Sequence, residues 1–352
     1  MNTSIQHTGI NVLKSLNPNA EIFSSGIYLP KQRVKSDDLL EEIDSYNQYN
    51  IPPDWISSKV GIIERRYAED HESPSSMAVK AAEQAIASDP DINPDHIDKI
   101  VFCGIDKDQA EPATAHNINE ALGLSANEVY DITDACYGFI RGMQDCARSI
   151  KLGEARLALV ATGEVPSRVV KHYMERMRKG VDKSLVKKWL GFVTAGDAAG
   201  AVIMGKADTL RGNGFQTFSS LVNSKHRDKC YYKHKATGEI EGQMLMAHIN
   251  AHGKKLAQNV VASVANNPAW ETPDYLLTHQ TGHGTFNILA DFELVPRDRM
   301  IRTYDYLGNI TTATFPVNYH HLLHNIGVDE GTKVSLLFSG SGLVFGHGLY
   351  VV

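Results

Sequence analysis

The stretch Asp131-Ile-Thr-Asp-Ala-Cys136-Tyr-Gly-Phe-Ile-Arg-Gly142 decides how the rest of the chain is read. In it a lone cysteine stands between a short β-like run and a segment with helical apolar spacing. A helix that begins at or just after Cys136 turns its unpaired N–H groups and its positive dipole end toward the thiol, which lowers a pKa that is about 8.5 in the free side chain. Cysteine is also among the most buried residue types, so a core thiol is the second reading. The stretch alone supports both.

Composition bounds the answer before any other motif is considered. The chain has 352 residues, 42% hydrophobic and 22% charged, enough for a large core or two fused half-domains and incompatible with disorder over most of its length. A formal net charge of −6 gives no general affinity for nucleic acid or for an anionic membrane. The four cysteines, Cys103, Cys136, Cys146 and Cys230, form no CxxC pair, so neither a metal site nor a disulfide framework is expected, and a reducing cytoplasm fits. The first 25 residues lack a basic start followed by an apolar run, and no segment approaches the roughly 20 apolar residues of a membrane span. Residues 1–21 read as an N-terminal extension.

Strand and helix signals alternate along the chain. Glu21 to Pro30 reads as a strand stopped by proline, Ser36 to Tyr46 as a short helix with Ser36 as its cap, and Ser73 to Ser88 as a helix with an apolar stripe through Met77, Ala81 and Ala85. Lys99–Gly104, Arg156–Thr162 and Gly200–Gly205 are continuously apolar, which predicts strands buried on both faces of a mostly parallel sheet. The segment Ala110-Glu111-Pro112 opens a helix with proline in its first turn, where Glu111 also suits the dipole as a bare charge. In the second half, residues 240–266 read as a long amphipathic helix, Tyr275 to Thr278 as a strand delivering His279, and Gly308-Asn309 as a turn into a helix. Two strands separated by Ser339-Gly-Ser-Gly342 close the chain.

Cys136, His279 and Asn309 thus all fall at a strand end or in a turn, the edge of an open α/β sheet where ligands bind. Together with DITDACYGF, THQ at 278–280, GNITTATFP at 308–316, GSGLVFG at 340–346 and WISSKVGIIERR at 55–66, they make the chain resemble the thiolase superfamily. The likeness is to its β-ketoacyl-ACP synthase III-like condensing enzymes, from about Gly26 to the C-terminus. The resemblance implies an α/β fold, a five-layered α-β-α-β-α sandwich of two similar halves, here 1–205 and 206–352, and a homodimer. It makes Cys136 the acyl-carrying nucleophile, His279 and Asn309 its partners, and the N–H groups of Cys136 and Gly342 the oxyanion hole. The carbonyl of the second thioester is expected against His279 Nε2 and Asn309 Nδ2. Trp55 and Lys59 fall where such enzymes meet the nucleotide of CoA, although the initiating synthases usually present arginine at the position of Lys59. The substrates it implies are acyl-CoA or acyl-ACP thioesters, with no other cofactor.

Glu111 separates branches of the family. Initiating synthases usually carry a large apolar residue there and generate their carbanion by losing CO2 from malonyl-ACP. The glutamate, with Glu164 after the next strand, resembles the head-to-head condensing enzymes of olefin biosynthesis, in which a carboxylate from the partner subunit acts as general base without decarboxylation. Residues 168–188 carry eight Lys/Arg against two acids, a local balance of +6. A solvated helix face accounts for this, and so does a docking surface for an acidic acyl carrier protein built on Arg176, Arg178 and Lys179. With Glu111, that surface resembles ketosynthases of dialkylresorcinol and stilbene pathways, which condense a β-ketoacyl thioester with a second thioester and let the product cyclise. The expected activity is therefore a Claisen-type condensation. A decarboxylating synthase, or an acyltransferase to oxygen or nitrogen, is the alternative.

Overall fold

The computed structural model describes residues 19–208, 212–265 and 272–352. The N-terminal extension up to residue 18 and the last residue of the helix expected over 240–266 lie outside them. Nine strands build two sheets: β1 (Ala20–Tyr28), β2 (Ile97–Cys103), β3 (Glu128–Ile132), β4 (Leu157–Glu164), β5 (Ala198–Lys206), β6 (Gly214–Val222), β7 (Tyr275–Thr278), β8 (Lys333–Gly340) and β9 (Val344–Val351). The first sheet has the order β1-β5-β4-β2-β3 and the second β7-β8-β9-β6. Every residue of β4 is buried, as an uninterrupted apolar run covered on both faces requires.

The sheets are mixed rather than mostly parallel. Strands β2, β3 and β4 run parallel to one another, and β7 parallel to β8, but β1, β5, β9 and β6 are paired antiparallel. The reason is visible at residues 341–343, where three residues join β8 to β9. A connection that short can only return antiparallel.

Six helices supply the other layers: α1 (Pro74–Ala87), α2 (Thr114–Ala121), α3 (Gly138–Leu152), α4 (Met246–Ala265), α5 (His283–Ala290) and α6 (Thr314–His321). Helix α1, started by Pro74 and a reciprocal Ser73–Ser76 capping box, packs on β1, β5 and β4 from outside. Helices α3 and α6 fill the space between the sheets, with Phe139, Met143, Phe315 and Tyr319 meeting Phe218, Leu336 and Phe338 in one apolar cluster. Helix α4 covers the far face of the second sheet and carries α5. The layers therefore read α-β-α-β-α. Two smaller hairpins lie outside them, Gln32–Lys35 with Glu64–Tyr67 and Cys230–His234 with Ile240–Met244.

Several local expectations change: the helix expected over 240–266 starts only at Met246, because Ile240–Met244 pairs as a strand, and the helix expected to open at Ala110-Glu111-Pro112 starts at Thr114. The helix expected over Ser36–Tyr46 breaks into Ser36–Glu42 and Ser45–Tyr49, because Asp44 adopts a left-handed conformation, and Ser36 is no cap, since its hydroxyl donates to the carbonyl of Ile62. Among the described residues no helix is long and apolar enough to cross a membrane.

Candidate active site

Cys136 stands on the bend between β3 and α3. Ala135 takes φ +48°, and the backbone bonds Tyr137 N–H to Asp134 O (3.1 Å) and Gly138 N–H to Ala135 O (2.9 Å) turn the chain sharply before the helix begins. Arg141 Nε donates to Asp134 Oδ2 at 2.8 Å and ties the bend to the first turn of α3. The next side chain, Tyr137, is fully buried in a slot formed by Gly340 and Gly346 of the second sheet. A Cβ on Gly346 would lie 2.0 Å from the Tyr137 hydroxyl, so only glycine fits there.

His279 follows β7 and is buried. Its Nδ1 lies 3.4 Å from the Thr314 hydroxyl, and that hydroxyl donates to Thr311 O at 2.8 Å. With the hydroxyl hydrogen so committed, Nδ1 carries the ring proton and Nε2 presents a lone pair. Burial pushes the His279 pKa down to about 4, so the ring is neutral. Asn309 is buried and held by its backbone on both sides, its N–H to Thr194 O (2.9 Å) and its carbonyl to Gly196 N–H (3.1 Å). Its Oδ1 accepts the Thr311 N–H at 3.1 Å, which leaves Nδ2 as the free donor.

These three residues line one cavity of about 70 Å³ together with Ser339, Gly340 and Ser341. A second cavity, about 350 Å³, shares Cys136, Asn309, Cys230, Met244 and Ser341 with the first and adds Asp106, Glu164, Tyr232 and Thr311. Both open at the nucleophile.

The expectation of a lowered thiol pKa is overturned. Burial pushes the Cys136 thiol well above its ordinary value, and the nearby Cys230 and Glu164 push it further, while its own N–H pulls only weakly the other way. The cysteine sits two residues ahead of the helix, and the dipole fades outside the first turn, so desolvation wins. The resting form is the thiol.

Other expected site residues are dispersed. Glu164 is fully buried, its carboxylate accepting the N–H groups of Ile105 (3.0 Å) and Asp106 (3.3 Å), and burial followed by the Asp106 charge pushes its pKa up to about 8. Glu111 is exposed and lines neither cavity. It does not cap α2 either: Asp131 does, accepting from Thr114 N–H (3.0 Å) and Ala115 N–H (2.9 Å). Trp55 is half-buried against the core and Lys59 is exposed, on a turn over residues 56–60 that abuts the start of α5 through Gly61 and His283. Ser341 rather than Gly342 lines the cavities.

Three cations of the basic patch at 168–188, those expected to dock a carrier protein, are compensated. Arg176 pairs with Glu239 (2.7 Å), Arg178 with Glu42 (3.4 Å) and Lys179 with Glu175 (2.7 Å). Among the described residues no cluster of three or more His, Cys, Asp or Glu is arranged to hold a metal ion. Cys230, Asp106, Tyr232 and Thr311 escaped sequence reasoning. The strand-end position that singled out Cys136 and His279 also holds for Asp106, just after Gly104.

Two family models match, 3-oxoacyl-[acyl-carrier-protein] synthase III over residues 130–225 and its C-terminal counterpart over 265–351, together more than half of the chain. The chain belongs to the synthase III-like condensing enzymes of the thiolase superfamily. As a member of this family it is a condensing acyltransferase that joins acyl groups from thioesters through a carbon–carbon bond. It is 28% identical to an acyl-CoA:acyl-CoA alkyltransferase of Shewanella oneidensis, over 85% of this chain and 88% of that one. It is 26% identical to a β-ketoacyl-[acyl-carrier-protein] synthase III of Deinococcus deserti, over 92% and 88%. Solved forms of OleA from Xanthomonas campestris share the condensing-enzyme fold at 23% identity. The cerulenin-bound form superposes with a TM-score of 0.87 over 96% of this chain and 98% of that one. A form with bound lauric acid and lauroyl-CoA gives 0.87 over 95% and 99%.

Proposed function

We propose that the protein is a cytoplasmic homodimer that condenses two acyl thioesters head to head, loading the first on Cys136 and forming the enolate of the second against His279 and Asn309. The observation that carries this reading is that residues from both halves of the chain, Cys136 from the first and His279 and Asn309 from the second, line one cavity. In the loading step the Cys136 thiol gives up its proton and sulfur attacks the thioester carbonyl, expelling the CoA or carrier thiol, which takes a proton. His279 Nε2, a lone pair at rest, suits the role of first acceptor and passes that proton to the departing thiolate; in the second step the enolate oxygen lies against the same ring and Asn309 Nδ2. The N–H of Cys136, with the Gly342 turn, is assigned to the oxyanion of the loading step.

Glu111 is assigned as the base acting across the dimer. It stands exposed near the β3 edge, and β3 has one side of its backbone unpaired, which suits sheet extension by a second copy. The acyl-CoA:acyl-CoA alkyltransferase relative supports joining two acyl chains. Trp55 and Lys59 are assigned to the nucleotide end of a CoA donor. For an acyl carrier protein the assignment moves from Arg176, Arg178 and Lys179 to Lys183, Lys187 and Lys188, which are exposed and have no ion pair among the described residues. A decarboxylating synthesis is favoured by one observation, that Glu111 lines no cavity of its own protomer.

The test is mass spectrometry of the protein and its products with pairs of acyl thioesters, with and without malonyl thioester. One acyl adduct per chain on wild type and on Glu111→Gln, none on Cys136→Ala, and product only when Glu111 is intact is the expected pattern. Full product from Glu111→Gln returns Glu111 to a surface charge, and product only with malonyl thioester establishes the decarboxylating route.

A further inference from the structure

The second cavity beside Cys136 holds two carboxyl groups that the condensing reading leaves idle, Asp106 and Glu164. Asp106 accepts the Val165 N–H (2.9 Å) and the Tyr232 hydroxyl (2.9 Å), and Glu164 accepts the Ile105 and Asp106 N–H groups. A hydrogen bond to the Thr312 side chain also holds Glu164, and the Thr312 hydroxyl reaches the carbonyl of Ala135, the residue before Cys136, at 3.3 Å. Glu164 is thereby tied to the bend that carries the nucleophile, close enough to act on its thiol, in a cavity that His279 does not line.

The two carboxyls titrate together, and their surroundings separate them. Burial raises Asp106, but the Tyr232 hydroxyl, the Val165 N–H, Arg168 and His234 all pull it back toward the anion. Glu164 lies fully buried beside that anion, and burial followed by the Asp106 charge pushes it up to about 8. Around neutral pH the pair therefore carries its negative charge on Asp106 and its proton on Glu164. Two other protic groups of this cavity are poorer proton donors. The Tyr232 hydroxyl is committed to Asp106, and burial pushes the Cys230 thiol up to about 11.

We propose that Glu164 is the general acid of the carbon–carbon bond-forming step, giving its proton to the Cys136 sulfur as the acyl group leaves it. This rests on the condensing function proposed above and assigns a residue to a proton transfer that the reading leaves open. Burial raises the Cys136 thiol well above its ordinary value, so the bare thiolate is a poor leaving group in this cavity. In loading, the thiol proton departs by way of His279. In condensation the enolate oxygen occupies His279 and Asn309, so sulfur must take a proton from elsewhere. The enolate carbon bonds to the acyl carbon, the carbon–sulfur bond breaks with its electron pair on sulfur, and the Glu164 proton restores the thiol. Glu164 is left as a carboxylate beside ionised Asp106, an unfavourable pair that recovers a proton from solvent. The proton lost from the α-carbon of the second thioester goes through the base to solvent, so the cycle closes.

The experiment is single-turnover product formation from full-length enzyme preacylated on Cys136, with loading measured separately as the adduct. The wild-type condensation rate is expected to be level up to about pH 8 and then to fall, roughly tenfold per unit, as Glu164 loses its proton. Loading should show no such fall. The titratable and charged groups around Glu164 are Asp106, Cys136 and Tyr232, with Arg168, His234 and Asp197 acting through Asp106. Glu164→Gln keeps the shape and the N–H contacts without the acidic proton. Its condensation at pH 7 should drop by roughly 10²-fold and lose the alkaline fall, while loading is unchanged. A residue that only supports the cavity would lower the rate without moving the pH profile. Condensation by Glu164→Gln within about threefold of wild type, or an alkaline fall retained in that variant, overturns the proposal. So does a wild-type rate that stays level through pH 9, a reading that needs no variant to fold. Adduct and product without the alkaline fall sink this inference alone, whereas no adduct from any acyl thioester sinks the condensing reading and this one with it.

Discussion

Asn309→Asp isolates one hydrogen bond of the candidate site. The substitution is isosteric, and the backbone of residue 309 is tied to Thr194 and Gly196, so the side chain stays where it is. One carboxylate oxygen can keep the Thr311 N–H that Oδ1 now accepts at 3.1 Å. What changes is the other atom: the Nδ2 donor becomes an anionic acceptor facing the place where enolate charge develops. Loss of one such donor costs about 2.7–4 kcal/mol, or roughly 10²–10³ in kcat, and added repulsion makes this a lower bound. Loading does not use that donor, so the Cys136 adduct should form at a near-normal rate. The variant also carries its own control. A carboxyl in this buried position titrates above its ordinary value, and lowering the pH restores an O–H donor, so condensation should recover toward acid while the wild-type rate does not. The assay is single-turnover product formation from preacylated enzyme between pH 5 and 8. Condensation within tenfold of wild type at neutral pH, or no difference between the two pH profiles, refutes the role given to Nδ2.

Because His279, pushed down to about 4, is already neutral at pH 6 and the raised Cys136 thiol hands its proton to it, acylation should be nearly flat across pH 6 to 9, and a climb of about tenfold per unit in a stopped-flow adduct assay contradicts this by showing that free thiolate reacts instead. Gly61 has φ +78°, and a Cβ there would fall 2.2 Å from the His283 ring, so Gly61→Ala should cost about 1–3 kcal/mol and lower the calorimetric Tm by several degrees. A Tm within one degree of wild type shows that the 56–60 turn is not held as described. Glutamate at Lys183, Lys187 and Lys188 should raise KM for a carrier-borne substrate more than for its CoA analogue. The same change at Arg176, Arg178 and Lys179 should affect the two alike, and the reverse pattern restores the original patch.

Much of the site was legible because the chemistry-bearing residues punctuate the elements. His279 follows its strand directly, Cys136 stands on the bend four residues after Ile132, Asn309 follows a glycine, and sheet architecture gathers such positions at one edge. The layers were legible for a similar reason, since apolar runs and amphipathic stripes alternate along the chain. Strand direction was not, because Gly200–Gly205 has the same apolar run whichever way it enters the sheet. The neutralisation of Arg176 and Arg178 was hidden too, because Glu239 and Glu42 are remote in sequence and only packing brings them close. The thiol pKa failed for a related reason: the dipole argument is local, whereas desolvation is set by everything around Cys136. Thr311 could not have been singled out, since the contacts through which it orients Asn309 and Thr314 exist only in the folded chain.

The glycine slot around Tyr137 has an evolutionary consequence. The side chain next to the nucleophile is a tenon cut in the first half of the chain, and Gly340 and Gly346 are the mortise cut in the second. Neither half can alter its part alone: a larger residue at 346 must arrive with a smaller one at 137, or the bend that presents Cys136 is displaced. Positions 137 and 346 should therefore change together among related chains, even though neither touches substrate. A chimera that joins the first half of one such enzyme to the second half of another should load acyl groups only when residue 137 of the one matches residue 346 of the other in size.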